Sequence, residues 1–140
     1  MAEVAQGLLK LQIVTPQRIV VQEDVTEVVA PGSEGYFGVL PGHLPFLTTL
    51  KAGYLVYWQS RAAHRLAVSN GFAEVQGDMV SILADTAERA EEIDVARAER
   101  ARGRAEERLR EWSSGNERID FARAEAALKR ALARLDAARG

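Results

Sequence analysis

The side chains able to do chemistry in this chain are few in kind. There is no cysteine, which excludes a disulfide scaffold, a thiolate zinc site and a thiol nucleophile, and fits a reducing compartment. The only histidines are His43 and His64. The first stands in a rigid Pro-Gly-His-Leu-Pro context and the second among strand-forming residues. No Gly-x-Ser-x-Gly elbow, no His-x-x-x-His pair, no Gly-x-x-x-x-Gly-Lys-Ser/Thr loop and no helix-opening Gly-x-Gly-x-x-Gly occurs. Nucleophilic hydrolysis, histidine-bound zinc and nucleotide turnover therefore lack their usual parts, and no catalytic residue or metal site is assigned. Acidic pairs such as Glu91-Glu92 and Glu106-Glu107 read as solvated helix faces.

What remains is arginine. Asp94, Arg97 and Arg104 are spaced 3 and 7 apart, and Arg130 and Arg134 are 4 apart, so each set shares one helix face. Guanidinium forks match phosphate oxygens. A salt-bridged exposed surface accounts for the same residues, and spacing alone favours it. A second unusual segment is Gly35-Tyr36-Phe37-Gly38-Val39-Leu40-Pro41-Gly42-His43-Leu44-Pro45, with three glycines and two prolines around apolar anchors. Such a stretch makes either an elaborate sandwich corner or a rigid surface loop that docks onto another protein, and composition favours the corner.

The elements that must position these residues divide the chain in two. It has 140 residues and a formal net charge of -2, which gives no case for nucleic-acid binding. The longest charge-free run, Gly35 to Leu50, is broken by glycines and prolines and cannot be a membrane helix. Glu3 precedes any apolar stretch and no basic segment leads one, so no signal peptide is expected. All four prolines, eight of eleven glycines and seven of nine aromatics precede Asp85. Residues 87–140 hold fourteen alanines and 25 charged residues. One chain is therefore making two kinds of structure.

The first part reads as short β-rich runs: Leu9-Leu11-Ile13 in alternation, Ile19-Val20-Val21, Val28-Val29, Tyr54 to Trp58, Leu66-Val68, Phe72-Val75 and Met79 to Leu83. Turn signals at Thr15-Pro16, Pro31-Gly32, Lys51-Ala52-Gly53, Asn70-Gly71 and Gln76-Gly77-Asp78 separate them, the pattern of an antiparallel sandwich or barrel. The second part reads as two helices. Ala98, Ala101, Ala105, Leu109 and Trp112 make one stripe; Phe121, Ala124, Leu128, Leu132 and Leu135 make the other, both spaced 3, 4, 4, 3. Ser113-Ser114-Gly115-Asn116 breaks the pattern and Asp120 is placed to cap the second helix. A short connection makes the pair an antiparallel hairpin. Gly103 inside the first helix costs about 1 kcal/mol relative to alanine.

The hairpin is weakly held by its own seam. Three of five stripe positions on the first helix are alanine, whose methyl contributes on the order of 1 kcal/mol when buried against ~1.5–3 for leucine or phenylalanine. Ordering the segment opposes that gain at ~1 kcal/mol or more per residue. The pair needs a further surface, from the β domain, a partner or a ligand, and can occupy more than one arrangement.

Along nearly its whole length the sequence resembles one family, the epsilon subunit of the F-type proton-translocating ATP synthase. The residues that carry the resemblance are Val14-Thr15-Pro16 before paired strands, the loop Gly32 to Pro45, Ser69-Asn70-Gly71-Phe72-Ala73-Glu74-Val75, and Ala84-Asp85-Thr86-Ala87 leading into Ile93-Asp94-Val95-Ala96-Arg97-Ala98. The resemblance implies an α+β fold. An N-terminal antiparallel β-sandwich of about ten strands over residues 1–86 would bind the rotor. A C-terminal antiparallel α-helical hairpin over 87–140 would regulate it. It implies a non-catalytic subunit of the central stalk, bound to the gamma subunit and the c-ring. The helices would switch between a compact state and an extended state that meets the alpha and beta catalytic subunits and inhibits ATP hydrolysis. The membrane is reached only through the complex, and the lack of a transit segment points to the cytoplasmic face of a bacterial plasma membrane.

The family's rotor-facing loop matches Ser33, Glu34, Gly35, Tyr36, Gly42 and His43. Many relatives carry an acidic residue where this chain has Tyr36, so an aromatic packing contact replaces an ionic one there. The family's nucleotide motif matches Ile93, Asp94, Arg97 and Ala98, with Glu88, Arg104, Arg130 and Arg134 as supporting positions. No cofactor is required, and ATP is a candidate regulatory ligand. The alternative is a generic β-sandwich adaptor with a helical hairpin and no link to ATP synthesis.

Overall fold

The computed structural model describes residues 7–140; the expectation drawn from Glu3 lies outside them. Eight strands come first: β1 (Leu9–Val14), β2 (Ile19–Val25), β3 (Glu27–Gly32), β4 (Gly35–Val39), β5 (Phe46–Leu50), β6 (Gly53–Gln59), β7 (Ala62–Gln76) and β8 (Met79–Arg89). A single 3-10 turn over Ala90–Glu92 leads into α1 (Val95–Ser113) and α2 (Phe121–Arg139). The α+β architecture and the helical hairpin are as expected. The eight strands are near the ten or so expected, and the runs expected on either side of Asn70-Gly71 are one strand of 15 residues.

Asn70-Gly71 is therefore not a hairpin turn but a bend inside β7. Its residues have φ of 49° and 134°. Before it β7 pairs with β6, with Val68 opposite Gly53; after it β7 pairs with β5, with Gly71 opposite Leu50. The strand passes there from one layer of the sandwich to the other. A Cβ at Gly71 would sit 1.8 Å from the carbonyl oxygen of Leu83, so close backbone approach and positive φ together demand glycine.

Seven of the eight strand pairings are antiparallel. The exception is β1 with β8, which run parallel with Leu11 opposite Val80. These strands are joined through the whole of the sandwich, so no tight turn imposes the antiparallel sense. Between the layers lie Leu9, Leu11 and Ile13 of β1, Val28 and Ala30 of β3, Leu55 and Tyr57 of β6, Leu66 and Val68 of β7, and Val80 and Ile82 of β8, all essentially buried. Alternation along each strand puts these residues inward.

β8 continues through the compositional break at Asp85 to Arg89, so a boundary drawn after residue 86 falls inside a strand. The hairpin lies folded on the sandwich, with α2 against β6 and β7. Ala133 and Ala137 of α2 pack with Ala67 of β7 and Ile93, bordered by Tyr54 and Ala138. α2 thus has two buried faces, where a single stripe was expected. Ala131 and Leu135 are buried as well, and Leu132, assigned to the stripe, is 40% exposed. Alanine allows helix and sheet to approach closely, and its weak hydrophobicity left that second face unmarked in the sequence. On α1 only Ala98 and Ala105 are buried.

Candidate functional site

The arginine-rich face of the hairpin closes a cleft against the end of the sandwich. The cleft has a volume of about 270 Å³ and is lined by Glu88, Glu92, Asp94, Arg97, Ala98, Ala101, Arg104 and Arg134. Six of the residues expected to meet a nucleotide are there: Glu88, Asp94, Arg97, Ala98, Arg104 and Arg134. Glu88 comes from the last turn of the β8 ladder, Arg134 from α2, and the rest from α1 and its approach.

Two expected members stand elsewhere. Ile93 is buried in the small core with Ala67, Ala133 and Ala137. Arg130 lines a crevice by Ser69 and Thr86 and a separate groove at the far end of the hairpin. Four residues apart, Arg130 and Arg134 share a helix face and both border that crevice with Glu88, while only Arg134 also lines the larger cleft.

The charges of the cleft are already partly matched. Nε of Arg134 donates to Oε1 of Glu88 at 2.6 Å. Asp94 is the N-cap of α1, its Oδ1 accepting from the backbone N–H of Arg97 at 3.0 Å. Glu92 accepts from the backbone N–H of Arg89 at 3.2 Å and lies 3.6 Å from an Arg18 guanidinium nitrogen. Arg97 and Arg104 make no ion pair with a described side chain. The cleft can thus offer two uncommitted guanidinium groups to an anion, and a third if Arg134 leaves Glu88. Glu92 and Ala101 were not among the residues expected there; Ala101 lies one helical step beyond Ala98, and Glu92 stands in the 3-10 turn before α1.

A polar network fastens the strand that leads into the hairpin. Arg89 donates to the hydroxyl of Tyr57 at 3.3 Å and to the carbonyl of Val20 at 3.1 Å. Tyr57 donates to Glu23 at 3.1 Å, and Gln59 donates to the other Glu23 oxygen at 2.8 Å. Burial pushes the Tyr57 hydroxyl up from its ordinary value, against the opposing pull of Arg89.

The residues expected to face a rotor fall into two places. Ser33 and Glu34 form the β3–β4 turn, closed by the Gly32–Gly35 pair. Ser33 is tied to β5, its Oγ accepting from Thr49 Oγ1 at 2.7 Å. Tyr36 is not free: its ring stacks on Tyr54 with centroids 4.6 Å apart and its hydroxyl accepts from the Tyr54 N–H at 3.2 Å. Gly42 and His43 sit in the loop at the other end of β4, about 13 Å away at ~3.3 Å per residue. The His43 ring lies 5.1 Å from that of Phe46. Around this loop Leu40, Leu44 and Leu47 are 55%, 78% and 68% exposed, apolar surface in a segment whose composition favours a sandwich corner over a docking loop.

The ATP synthase delta/epsilon chain β-sandwich domain model matches residues 8–90, and the delta/epsilon long alpha-helix domain model matches residues 91–139. A β-sandwich followed by a helical hairpin, matched in this order by the two models, defines an ATP synthase delta/epsilon class of subunit. The chain is a member of the ATP synthase delta/epsilon chain family. It is 56% identical over 108 residues to the ATP synthase epsilon chain of Moorella thermoacetica, covering 76% of this chain and 81% of that one. It is 51% identical over 105 residues to the epsilon chain of Geotalea uraniireducens, covering 75% and 76%. A chain in the cryo-EM structure of Euglena gracilis mitochondrial ATP synthase, OSCP/F1/c-ring, superimposes with a TM-score of 0.81 at 26% identity over 96% of this chain and 82% of its own.

Proposed function

We propose that this chain is the epsilon subunit of a bacterial F-type ATP synthase, a non-catalytic part of the central stalk. It would bind gamma and the c-ring and couple proton-driven rotation to the catalytic head. The observation that carries this reading is the pair of consecutive family matches spanning residues 8–139. Family membership displaces the generic adaptor. No helix among the described residues is long and apolar enough to cross a membrane; attachment would be through the complex, at its cytoplasmic face.

The sandwich would dock through its apolar surfaces. The exposed leucines of the 40–47 loop are one. The other is a row on the outer sheet face, where Phe72 stands opposite Leu83, Leu83 opposite Val14 and Val14 opposite Ile19. Phe72, Leu83 and Ile19 are each more than half exposed. The turn at Ser33 to Tyr36 and the loop at Gly42-His43 would be two separate rotor contacts.

The hairpin, residues 90–140, would be the regulatory element. Its hold on the sandwich rests on a core of four small or medium side chains and one part-exposed ion pair, weak enough to release. Released, it would reach the alpha and beta subunits and inhibit hydrolysis. ATP in the 270 Å³ cleft, held by Arg97, Arg104 and Arg134, would favour the compact arrangement through its greater affinity for it. The test is ATP hydrolysis by the assembled enzyme with the whole chain and with residues 94–140 removed, which leaves β8 complete. Hydrolysis should rise on truncation while gamma is still retained; unchanged hydrolysis would refute the inhibitory role. Isothermal titration with millimolar ATP that gives no heat and no shift in melting temperature would refute the nucleotide role.

A further inference from the structure

The hairpin carries a second groove, running from the connection between its helices to Arg130, which also borders the crevice by Ser69 and Thr86. It has a volume of about 450 Å³ and is lined by Arg108 of α1, Arg118 and Ile119 of the connection, and Asp120, Arg123, Ala124, Ala127 and Arg130 at the start of α2. Its charge differs from that of the cleft. The cleft sets Arg97, Arg104 and Arg134 against Glu88, Glu92 and Asp94 and is neutral. The tip groove sets four arginines against Asp120 alone. That carboxylate is engaged as the α2 N-cap, accepting from the Arg123 N–H at 3.0 Å.

Some basic residues of the hairpin are paired, while others, Arg97 and Arg104 among them, are not. Arg102 pairs with Glu99, Arg110 with Glu107, Lys129 with Glu125 and Arg134 with Glu88. Arg108, Arg118, Arg123 and Arg130 pair with no described carboxylate, although they converge from three segments on one groove. Like charges gathered this way repel, and a multivalent anion between them removes the repulsion. Guanidinium groups approaching from both walls suit the tetrahedral oxygens of a phosphate chain.

We infer that the groove formed by Arg108, Arg118, Arg123 and Arg130 binds a polyphosphate anion, independently of the nucleotide proposed for the cleft. A phosphate chain lying there bridges α1, the connection and α2, and stiffens the outer end of the hairpin. Because the arginines are largely exposed, binding weakens with ionic strength.

The test uses the full chain with inorganic triphosphate in low-salt buffer, followed by calorimetry and amide chemical shifts. Binding should perturb residues 118–124, and the double substitution Arg118→Ala/Arg123→Ala should weaken it at least tenfold with the melting temperature unchanged. Arg97→Ala/Arg104→Ala should leave it intact, so loss of ATP binding in that variant bears only on the cleft. Absence of binding at millimolar triphosphate overturns the inference, as do shifts confined to residues 88–104. A polyglutamate peptide that binds the groove as tightly as triphosphate would also overturn it, by making the site one for acidic protein segments.

Discussion

Arg134 Nε and Glu88 Oε1 are 2.6 Å apart, and this ion pair joins the last helix to the last strand. Their side chains are 33% and 37% exposed, so the pair adds under about 1 kcal/mol to global stability. Its effect is local. Glu88→Gln should leave the melting transition of the sandwich nearly unchanged and raise hydrogen exchange in α2. Exchange in α1, which buries only Ala98 and Ala105, should be faster than in β7 and β8 before any substitution. Equal protection of α1 and the central strands would mean the hairpin is not separable.

Ala133 tests the seat of α2 directly. It is 4% exposed and packs with Ala67 and Ile93. Ala133→Glu forces a carboxylate into that contact, where an unpaired charge costs several kcal/mol. The helix should leave the sandwich rather than carry the cost. Amide spectra should then show the sandwich resonances retained and those of Tyr54 and Ala67 displaced.

Asp94 has two candidate roles that one pair of variants separates. Asp94→Asn keeps an N-cap of similar quality, while Asp94→Ala loses about 1 kcal/mol of helix stability. If Asp94 acts only as the cap, helicity by circular dichroism and ATP affinity should be near native in the asparagine variant and both reduced in the alanine one. An asparagine variant with native helicity and at least tenfold weaker ATP binding would assign the charge to the ligand.

Gly71→Ala should be among the most damaging single changes in the chain. The added methyl meets the Leu83 carbonyl at 1.8 Å with φ at 134°, and the strand pairing on both sides prevents relief. A loss on the order of 3 kcal/mol or more is expected from the strain, read as a fall in the midpoint of urea unfolding. Gly77→Ala is the control, with positive φ but open space around it, and should cost less.

Tyr57 sets an alkaline limit. Its folded pKa is raised by burial above an ordinary value of 10.0. The neutral hydroxyl is therefore the form the fold favours, and that stability is complete below pH 10.0 and lost as pH rises through the folded value. Unfolding free energy should decline above that pH, with a shallower decline in Tyr57→Phe. A parallel decline in both proteins would exclude Tyr57 as the source.

Periodicity and turn chemistry carried the two-part architecture, because apolar alternation and a 3.6-residue stripe are local properties written in consecutive residues. The N-cap at Asp120 and the alanine character of the hairpin seam were legible for the same reason. The bend at Asn70-Gly71, read as a turn, depended on strands far apart in sequence: β5 and β6 occupy one edge of β7 in succession, and only that arrangement converts a hairpin signal into a crossing between layers. The parallel pairing of β1 with β8 likewise depends on contacts that no local pattern encodes. By spacing alone the arginines read as a salt-bridged surface, and only the family resemblance singled them out for a nucleotide. Tertiary packing decided which of them line the larger cleft, pairing Arg134 with Glu88 there and placing Arg130 between the crevice by Ser69 and the groove at the tip, because a helix that touches both a sheet and another helix divides its faces according to partners that its own sequence does not name.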